Sequence, residues 1–545
     1  FEGENGALLR AEGNVLLNFF GFAIIDGFFI FEKSTSTVTL ANGETLAVDQ
    51  MLIGAIGVDA FIGINGPASN DGALGFSITN ADIALALMSA QQPAAPAPPS
   101  TDLRSFIALK VDVKQAGFVG VDGLTVAITD LKLAINQAGG ILNGNPVDTN
   151  NVVDFNAGGS QPGTQVTIGA LTLDFDGDDG ALLRAEGNVE LNFFGFAIID
   201  GFFIFEKSSA NVTLSDGTTL DVDRMLIGAV GVDAFIGING PATNAGALGF
   251  DITDADIALA LMSAKQPAAP APPSTDLRSF TALEVEVASA SFIGVDGLTI
   301  AVNSMSFSLN QAGGTLNGNP VDGSVVVDFN AGGSVTGTPL TIGALTLDFE
   351  GENGPLLEAS GELELNVFDV VFVTAGFELR KQTVDVDVNG NGVLSTTERD
   401  LDNAGLLTLS LTISDFFAGI PGGIGFQVNS GQIAIAIIKP DPVLNPADDR
   451  SFLAFSSNIS GASLAGLPPE LVIEATRLEV EINSASGTPV APATVITPLN
   501  WNVAVDLQPG DATFDADPVV VGGQTFDFTG AFTRIGGALT LDAFG

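Results

Sequence analysis

The chain has 545 residues, with 64 acidic and 18 basic side chains and a formal net charge of −46. This charge excludes nucleic acid as a natural partner and argues against anionic membrane surfaces, because both require a basic protein surface. Cys, His and Tyr are absent, which removes disulfides, thiolate metal sites and the commonest catalytic acids, bases and nucleophiles. We therefore expect a protein that is not an enzyme.

The opening segment of the chain returns twice. FEGENGALLRAEGNVLLNFF begins at Phe1, FDGDDGALLRAEGNVELNFF at Phe175, and the diverged FEGENGPLLEASGELELNVF at Phe349. A fixed period indicates an array of similar units. The predicted tandem modules are 1–174, 175–348 and 349–545. The chain starts inside this pattern without an initiator Met or signal peptide, so we expect it to be a slice of a longer protein.

Apolar and polar residues alternate with a period of two in each module, as in the stretch from Leu9 to Phe31. This alternation predicts an all-β protein, with long antiparallel β-meanders or sandwiches in an elongated array. Gly13, Gly21 and Gly27 fall on the apolar side of the pattern, which favours close approach of a second layer and a closed core. The ambiguous run ADIALALMSA, residues 81–90, also alternates and is predicted as a strand.

Turn signals separate the predicted strands. FIGING at 61–66 and FVGVDG at 118–123 end in Asn-Gly or Asp-Gly, which suit tight hairpin turns. Two proline-rich connectors, Gln92–Pro99 and Gln266–Pro273, are predicted to be extended and exposed, since proline cannot donate to a strand ladder.

The sharpest local motif is DVNGNGVLSTTE, residues 387–398, which fits the calcium-loop pattern D-x-[DN]-x-[DN]-G-x5-E at every specified position. Calcium is a hard cation that takes several oxygen ligands. The flanking residues do not predict helices, so the loop resembles that of an EF-hand without a full EF-hand. The alternative is a polar Asn-Gly turn. The predicted ligands are the side chains of Asp387, Asn389, Asn391, Ser395 and Glu398 and the backbone carbonyl of Val393.

A second candidate calcium site lies at each module boundary, where DFDGDDG begins at residue 174 and DFEGENG at residue 348. Carboxylates this close in sequence repel one another unless a cation lies among them. Calcium there would stiffen the joint between modules, and the alternative is a solvated acidic turn. The acidic candidates are Asp174, Asp176, Asp178 and Asp179 at the first boundary and Asp348, Glu350 and Glu352 at the second.

Long tandem modules with FVGVDGLT and FIGINGP hairpins, no Cys, an acidic surface and calcium loops resemble the giant repeat proteins of bacterial cell surfaces. These include the adhesin-like proteins with LEPR-XLL leaders. The resemblance covers most of the chain. It implies secretion, attachment at a bacterial cell surface or in a secreted matrix, and a stalk or matrix role.

We therefore expect a structural extracellular segment, a stalk, fibre or adhesin spacer rigidified by calcium, whose partners are neighbouring repeats of the same polypeptide or fibre. The alternative is a lipid-carrying open β-trough with a continuous apolar face, resembling the AsmA-like and bridge-like families. The two differ in whether the face from Leu9 to Phe31 is packed by another sheet or left open. No transmembrane segment is expected, and the sequence does not identify an adhesion target.

Overall fold

A computed structural model describes the chain at residues 8–93, 99–158, 162–267, 272, 274–321, 323–395, 397, 399–420, 422–441, 447–488, 495–509 and 513–543. Most of each proline-rich connector lies outside these residues, and so does Glu398 of the calcium loop. The described chain is all-β, as the alternation predicts.

The described residues form nineteen long strands that pair antiparallel in chain order within one sheet. The run at 81–90 lies in the fourth strand, so the strand prediction there is confirmed. The strands are β1 Leu9–Phe19, β2 Ala23–Leu40, β3 Thr45–Ile64, β4 Leu74–Ala90, β5 Asp102–Val119, β6 Leu124–Leu142, β7 Leu182–Phe193, β8 Ala197–Thr213, β9 Thr219–Ile238, β10 Leu248–Ala264, β11 Asp276–Ile293, β12 Leu298–Leu316, β13 Leu356–Val367, β14 Val371–Val386, β15 Leu401–Gly419, β16 Gly425–Lys439, β17 Ser451–Ala465, β18 Leu471–Ser486 and β19 Phe532–Ala543.

The sheet runs without interruption from one group of six strands to the next. β6 pairs with β7 along its length, from Asn136 opposite Leu182 to Leu124 opposite Phe193, and β12 pairs with β13 in the same way. Neighbouring modules therefore meet along whole strands, and not only near their acidic boundary loops. Hydrogen bonding between the outer strands of adjacent groups joins them into one surface.

Each group of six strands is followed by a covering segment that crosses one face of the sheet. The covering segments contain short paired pieces and two 3-10 turns. The predicted boundaries at 174/175 and 348/349 lie inside the first two of these segments. The short elements are Asn145–Pro146, Val153–Asp154, Val166–Ile168, Leu171–Leu173, Gly177–Asp179, Asn319–Pro320, Leu340–Ile342, Leu345–Leu347, Gly351–Asn353, Val505–Asp506, Val520–Val521 and Gln524–Thr525.

The main core lies between each covering segment and the sheet. In the first group, Phe155 and Leu173 of the covering segment pack on Val48, Ala86 and other buried strand side chains. Equivalent cores form under the second and third covering segments, and the third contains the fully buried Trp501. We call this side of the sheet the covered face.

The opposite side, which we call the apolar face, has no sheet packed on it. Among the described residues, the other sheets are two-stranded hairpins. Gly13 has no atom within 4 Å of the place where a Cβ would lie, and the nearest atoms are those of Val58 at Gly27 and of Gly66 at Gly21, which belong to the same sheet and its connections. The expectation that these glycines admit a second layer is therefore wrong.

Bulges cross the middle of the sheet and bend the strands. The pairing register shifts between Asp26 and Phe28, and again between Ala55 and Val58, where Gly57 has a φ of 59°. Similar shifts recur in later strands. A bulge bends its strand and increases the local twist.

On the apolar face, small side chains near the bulges are buried by larger neighbours. Ala55 and Ala81 lie on this face and are buried, although the side chains packed against them, such as Phe29 and Leu131, belong to the same face. The second group repeats this arrangement around Ala229 and Val287. Small side chains become buried in this way when larger neighbours on the same face pack over them.

One turn prediction is wrong. The Asn65-Gly66 dipeptide does not make a two-residue hairpin, because β3 ends at Ile64 and β4 begins only at Leu74. The predicted turn at Asp122-Gly123 does connect adjacent strands, and Gly123 has a φ of 81° there.

Candidate functional sites: the apolar face and the acidic loops

The apolar face carries rows of apolar side chains, most of them large. Since side chains alternate between the two faces of a strand, directly paired residues point to the same side. The pairing register follows one row from strand to strand, and every member after the first is half-buried. The row is Ala11, Phe31, Ile53, Leu85, Leu109, Ile135 and Leu183.

A second row repeats the first in the following strands. It continues into the third group, so the apolar face crosses both module boundaries without a polar break. The row is Ala185, Phe205, Ile227, Leu259, Leu283, Leu309 and Leu357.

At the centre of β4 and β5, the covered face carries smaller side chains than the apolar face. Beside Leu85 and Leu109, the neighbouring residues Ala84, Ala86 and Ala108 point to the covered face and are completely buried. Alanine lets the covering segment approach the sheet closely, whereas the leucines face solvent. The hydrophobic residues of each strand are therefore divided between a packed side and an open side.

The candidate calcium loop connects β14 to β15 and is folded around two carboxylates. Asp387 is fully buried, and its carboxylate accepts the N–H groups of Gly390 at 2.8 Å and Gly392 at 2.6 Å. The Asn391 side chain accepts the Val393 N–H at 2.9 Å. The loop backbone is thus arranged around Asp387, the first residue of the predicted ligand set.

Asp400 is the second carboxylate, and the sequence analysis missed it. Its two oxygens accept the N–H groups of Val388 at 2.8 Å and Ser395 at 2.9 Å, across the width of the loop. The signal was an acidic residue two positions beyond the end of the calcium pattern. Asp387, Asn389, Asn391, Ser395 and Asp400 all carry side-chain oxygens, the type of ligand that a hard cation takes.

At the first boundary, the acidic residues are held by separate partners. Asp174 forms an ion pair with Lys110 at 3.0 Å, and the Asp176 carboxylate accepts the Asn156 side-chain N–H at 2.7 Å. Asp176 also accepts the Asp178 N–H at 3.1 Å and so caps a 3-10 turn. Burial, with a contribution from the nearby Asp176 carboxylate, raises the pKa of Asp179.

At the second boundary, Glu352 accepts hydrogen bonds from the Ser334 hydroxyl and the Val335 N–H. Glu350 accepts the Asn353 side-chain N–H at 3.4 Å, and Asp348 lies near Glu284. In the part of the chain that the structure describes, no group of three or more acidic side chains is close enough to hold a metal ion. The boundary residues therefore do not form a preassembled site.

Three buried aspartates at equivalent positions organise the covering segments, and sequence reasoning did not single them out. Asp154, Asp328 and Asp506 are each almost completely buried. Asp328 accepts the N–H groups of Asn330 at 2.9 Å and Gly351 at 3.1 Å. An aspartate recurs at this position in each module, and this recurrence in the sequence could have indicated its structural role.

No protein-family model matches this sequence, and no curated protein matches it. Within the described residues, no helix has the length and apolar character needed to cross a membrane.

Proposed function

We propose that this chain binds acyl chains along its open apolar face, as a β-trough that carries lipid. The supporting observation is the two rows of mostly half-buried Leu, Ile and Phe side chains on the side of the sheet that no covering segment crosses. Soluble proteins rarely expose a contiguous apolar patch larger than a few hundred Å², and larger ones mark ligand or partner sites. Burying these rows under an acyl chain removes apolar surface from water.

Binding of a fluorescent long-chain acyl probe to the chain purified without detergent tests this proposal. We expect saturable binding that weakens when Leu85→Gln and Leu259→Gln place polar groups at the centre of both rows. The control is Asn188→Gln, an exposed position on the opposite face. Absence of saturable binding, or equal binding by the Leu variants, would contradict the trough.

A structural role is the second candidate, and the strand pairing across module boundaries favours it. A sheet joined by hydrogen bonds from β1 to β19 transmits load between modules better than units that touch only through loops. In this proposal the segment is a spacer of an extracellular stalk, fibre or adhesin at a bacterial cell surface, with further repeats as its partners. The net charge of −46 suits a polymer kept apart from its neighbours and sensitive to divalent cations.

Calcium stiffening belongs to this second proposal, with the predicted calcium loop at residues 387–398 as the site. Single-molecule stretching in calcium and in chelator at equal ionic strength tests it. A calcium-stiffened spacer has a higher bending rigidity in calcium. Equal rigidity in both solutions would leave the charge with a role in solubility only.

A further inference from the structure

Each module places one lysine at the same point on the apolar face. Lys33, Lys207 and Lys381 are exposed, and the pairing register puts each between two apolar neighbours. Lys207 lies between Leu183 and Met225. These lysines make no hydrogen bond or ion pair within the described residues, whereas most of the other basic side chains do. The paired basic residues are Arg10, Arg104, Lys110, Lys114, Lys132, Arg184, Arg224, Arg278, Arg380, Arg450, Arg477 and Arg534.

Unpaired lysines are notable in a chain with 64 carboxylates and 18 basic residues. The carboxylate nearest to Lys33 on the same face, by strand pairing, is Asp49, which lies opposite Thr35. The equivalent residue near Lys207 is Asp223, whose carboxylate accepts the Ser209 hydroxyl at 2.7 Å. Neither forms an ion pair with the lysine of its module. In the third module the corresponding pair is Thr383 and Gly405, so Lys381 has no such neighbour.

Two of the lysines each end a complete apolar row. In the first row, Leu183 of β7 is paired with Lys207 of β8. In the second row, Leu357 of β13 is paired with Lys381 of β14. The five steps from Ile53 to Lys207 span about 24 Å at the usual spacing between strands. An extended acyl chain lying along either row would bring its polar end to the lysine.

We propose that the apolar face takes single-chain anionic amphiphiles, with long-chain fatty acids as the ligand class, and that Lys207 and Lys381 bind the carboxylate. This inference rests on the proposed trough and names its ligand. One ammonium group matches the single negative charge of a carboxylate and has three donors for its oxygens. At physiological ionic strength, carboxylates farther than about 8 Å from the headgroup are largely screened.

A second copy of the chain is the competing occupant, and the charges disfavour it. Packing two apolar faces together would bring two chains of −46 into contact and bury the lysines without partners. Burying an unpaired charge is costly. A fatty acid instead neutralises the lysine while covering the row.

The test measures binding of a fluorescent long-chain fatty acid and of its methyl ester to the full chain. The variant is Lys207→Gln with Lys381→Gln. The matched control, Lys114→Gln with Lys132→Gln, removes the same charge from lysines paired with Asp130 and Glu186. We expect the double variant to bind the acid about tenfold more weakly, as for loss of one charge-assisted hydrogen bond. Binding of the ester should not change, and the control should match the wild type.

The outcomes separate this inference from the trough itself. Equal binding of acid and ester that is insensitive to Lys207→Gln and Lys381→Gln would overturn the headgroup site and leave the trough standing. Absence of binding by either probe would overturn both. A dimer in light scattering that excludes the probes would assign the face to a second copy. Binding to phospholipid vesicles without binding of the monomeric acid would assign it to a membrane surface.

Discussion

Glu284 lies beside Asp348 at the place where Lys110 meets Asp174 in the preceding module. The two pairs are equivalent in the repeat, but an attractive contact in one has become a repulsive contact in the other. Burial, then Asp348 and Glu286, raise the pKa of Glu284, and one of its buried carboxylate oxygens has no hydrogen-bond partner.

The substitution Glu284→Lys should therefore stabilise the chain. A lysine there can pair with Asp348 as Lys110 pairs with Asp174, and we expect a gain of about 0.5–1 kcal/mol in the free energy of unfolding. Urea unfolding at neutral pH and low salt measures it. The converse exchange, Lys110→Glu, should lower the free energy of unfolding. An unchanged or lower midpoint for Glu284→Lys would contradict the repulsive contact.

Asp385 should make stability depend on pH. It is buried opposite Asp506, and burial is the main cause that raises its pKa from 3.8 to about 6, while the Asn403 N–H acts in the opposite direction. The folded state therefore binds the proton of the Asp385 carboxyl more tightly than the unfolded state does. The stabilisation from the protonated Asp385 is complete below pH ~4 and is lost as pH rises through about 6.

Asp385→Asn removes the group that ionises and should therefore remove the loss of stability above pH 6. We expect the free energy of unfolding at pH 7 to rise by on the order of 1–3 kcal/mol. Denaturant unfolding from pH 4 to 7 measures the slope. The same exchange at the exposed Asp402 should leave most of the pH dependence in place. A wild-type slope in Asp385→Asn would show that another group is responsible.

Calcium should stabilise the third module through the loop around Asp387. The N–H groups of Gly390 and Gly392 bond to different oxygens of Asp387, so Asp387→Asn keeps an acceptor for only one of them, and it removes the negative charge that a hard cation requires. We expect the calcium-induced rise in melting temperature to be lost. Calorimetric titration and melting in calcium and in chelator measure it.

The matched control for the calcium loop is Asp216→Asn, in the hairpin that stands at the equivalent place in the second module. Its carboxylate accepts the Thr218 N–H at 2.9 Å. The calcium response of this control should equal that of the wild type. Full calcium binding by Asp387→Asn would exclude the loop as the site.

Asn310 should hold the second covering segment on the sheet. It is almost completely buried, and its side-chain N–H donates to the Val327 carbonyl at 2.8 Å. Asn310→Ala leaves that carbonyl without a partner, which costs about 1–3 kcal/mol. Hydrogen exchange should become faster at 326–329, whereas Asn188→Ala on the exposed surface should have no effect. Unchanged exchange would mean that packing alone holds the segment.

Local patterns predicted much of the strand structure. The alternation from Leu9 to Phe31 forms the β1–β2 hairpin, and the run at 81–90 is a strand, because alternation is a property of neighbouring residues. The Asn65-Gly66 turn failed because a longer connection there carries its own hydrogen bonds, including Asn70 to the carbonyls of Asn65 and Gly66. Asp400 was missed because its role depends on the folding of the whole loop.

The sequence by itself determined the repeat period, the all-β class, the division of each strand into two faces and the position of the calcium pattern. Only the tertiary structure decided which face is covered. Both faces of β4 carry hydrophobic residues, but Ala84 and Ala86 admit the covering segment closely, whereas Leu85 and Leu87 would hold it away. At this point of β4 the two leucines therefore lie on the open face. Neither this choice nor the place of Lys207 at the end of an apolar row can be read before the strands are paired in register.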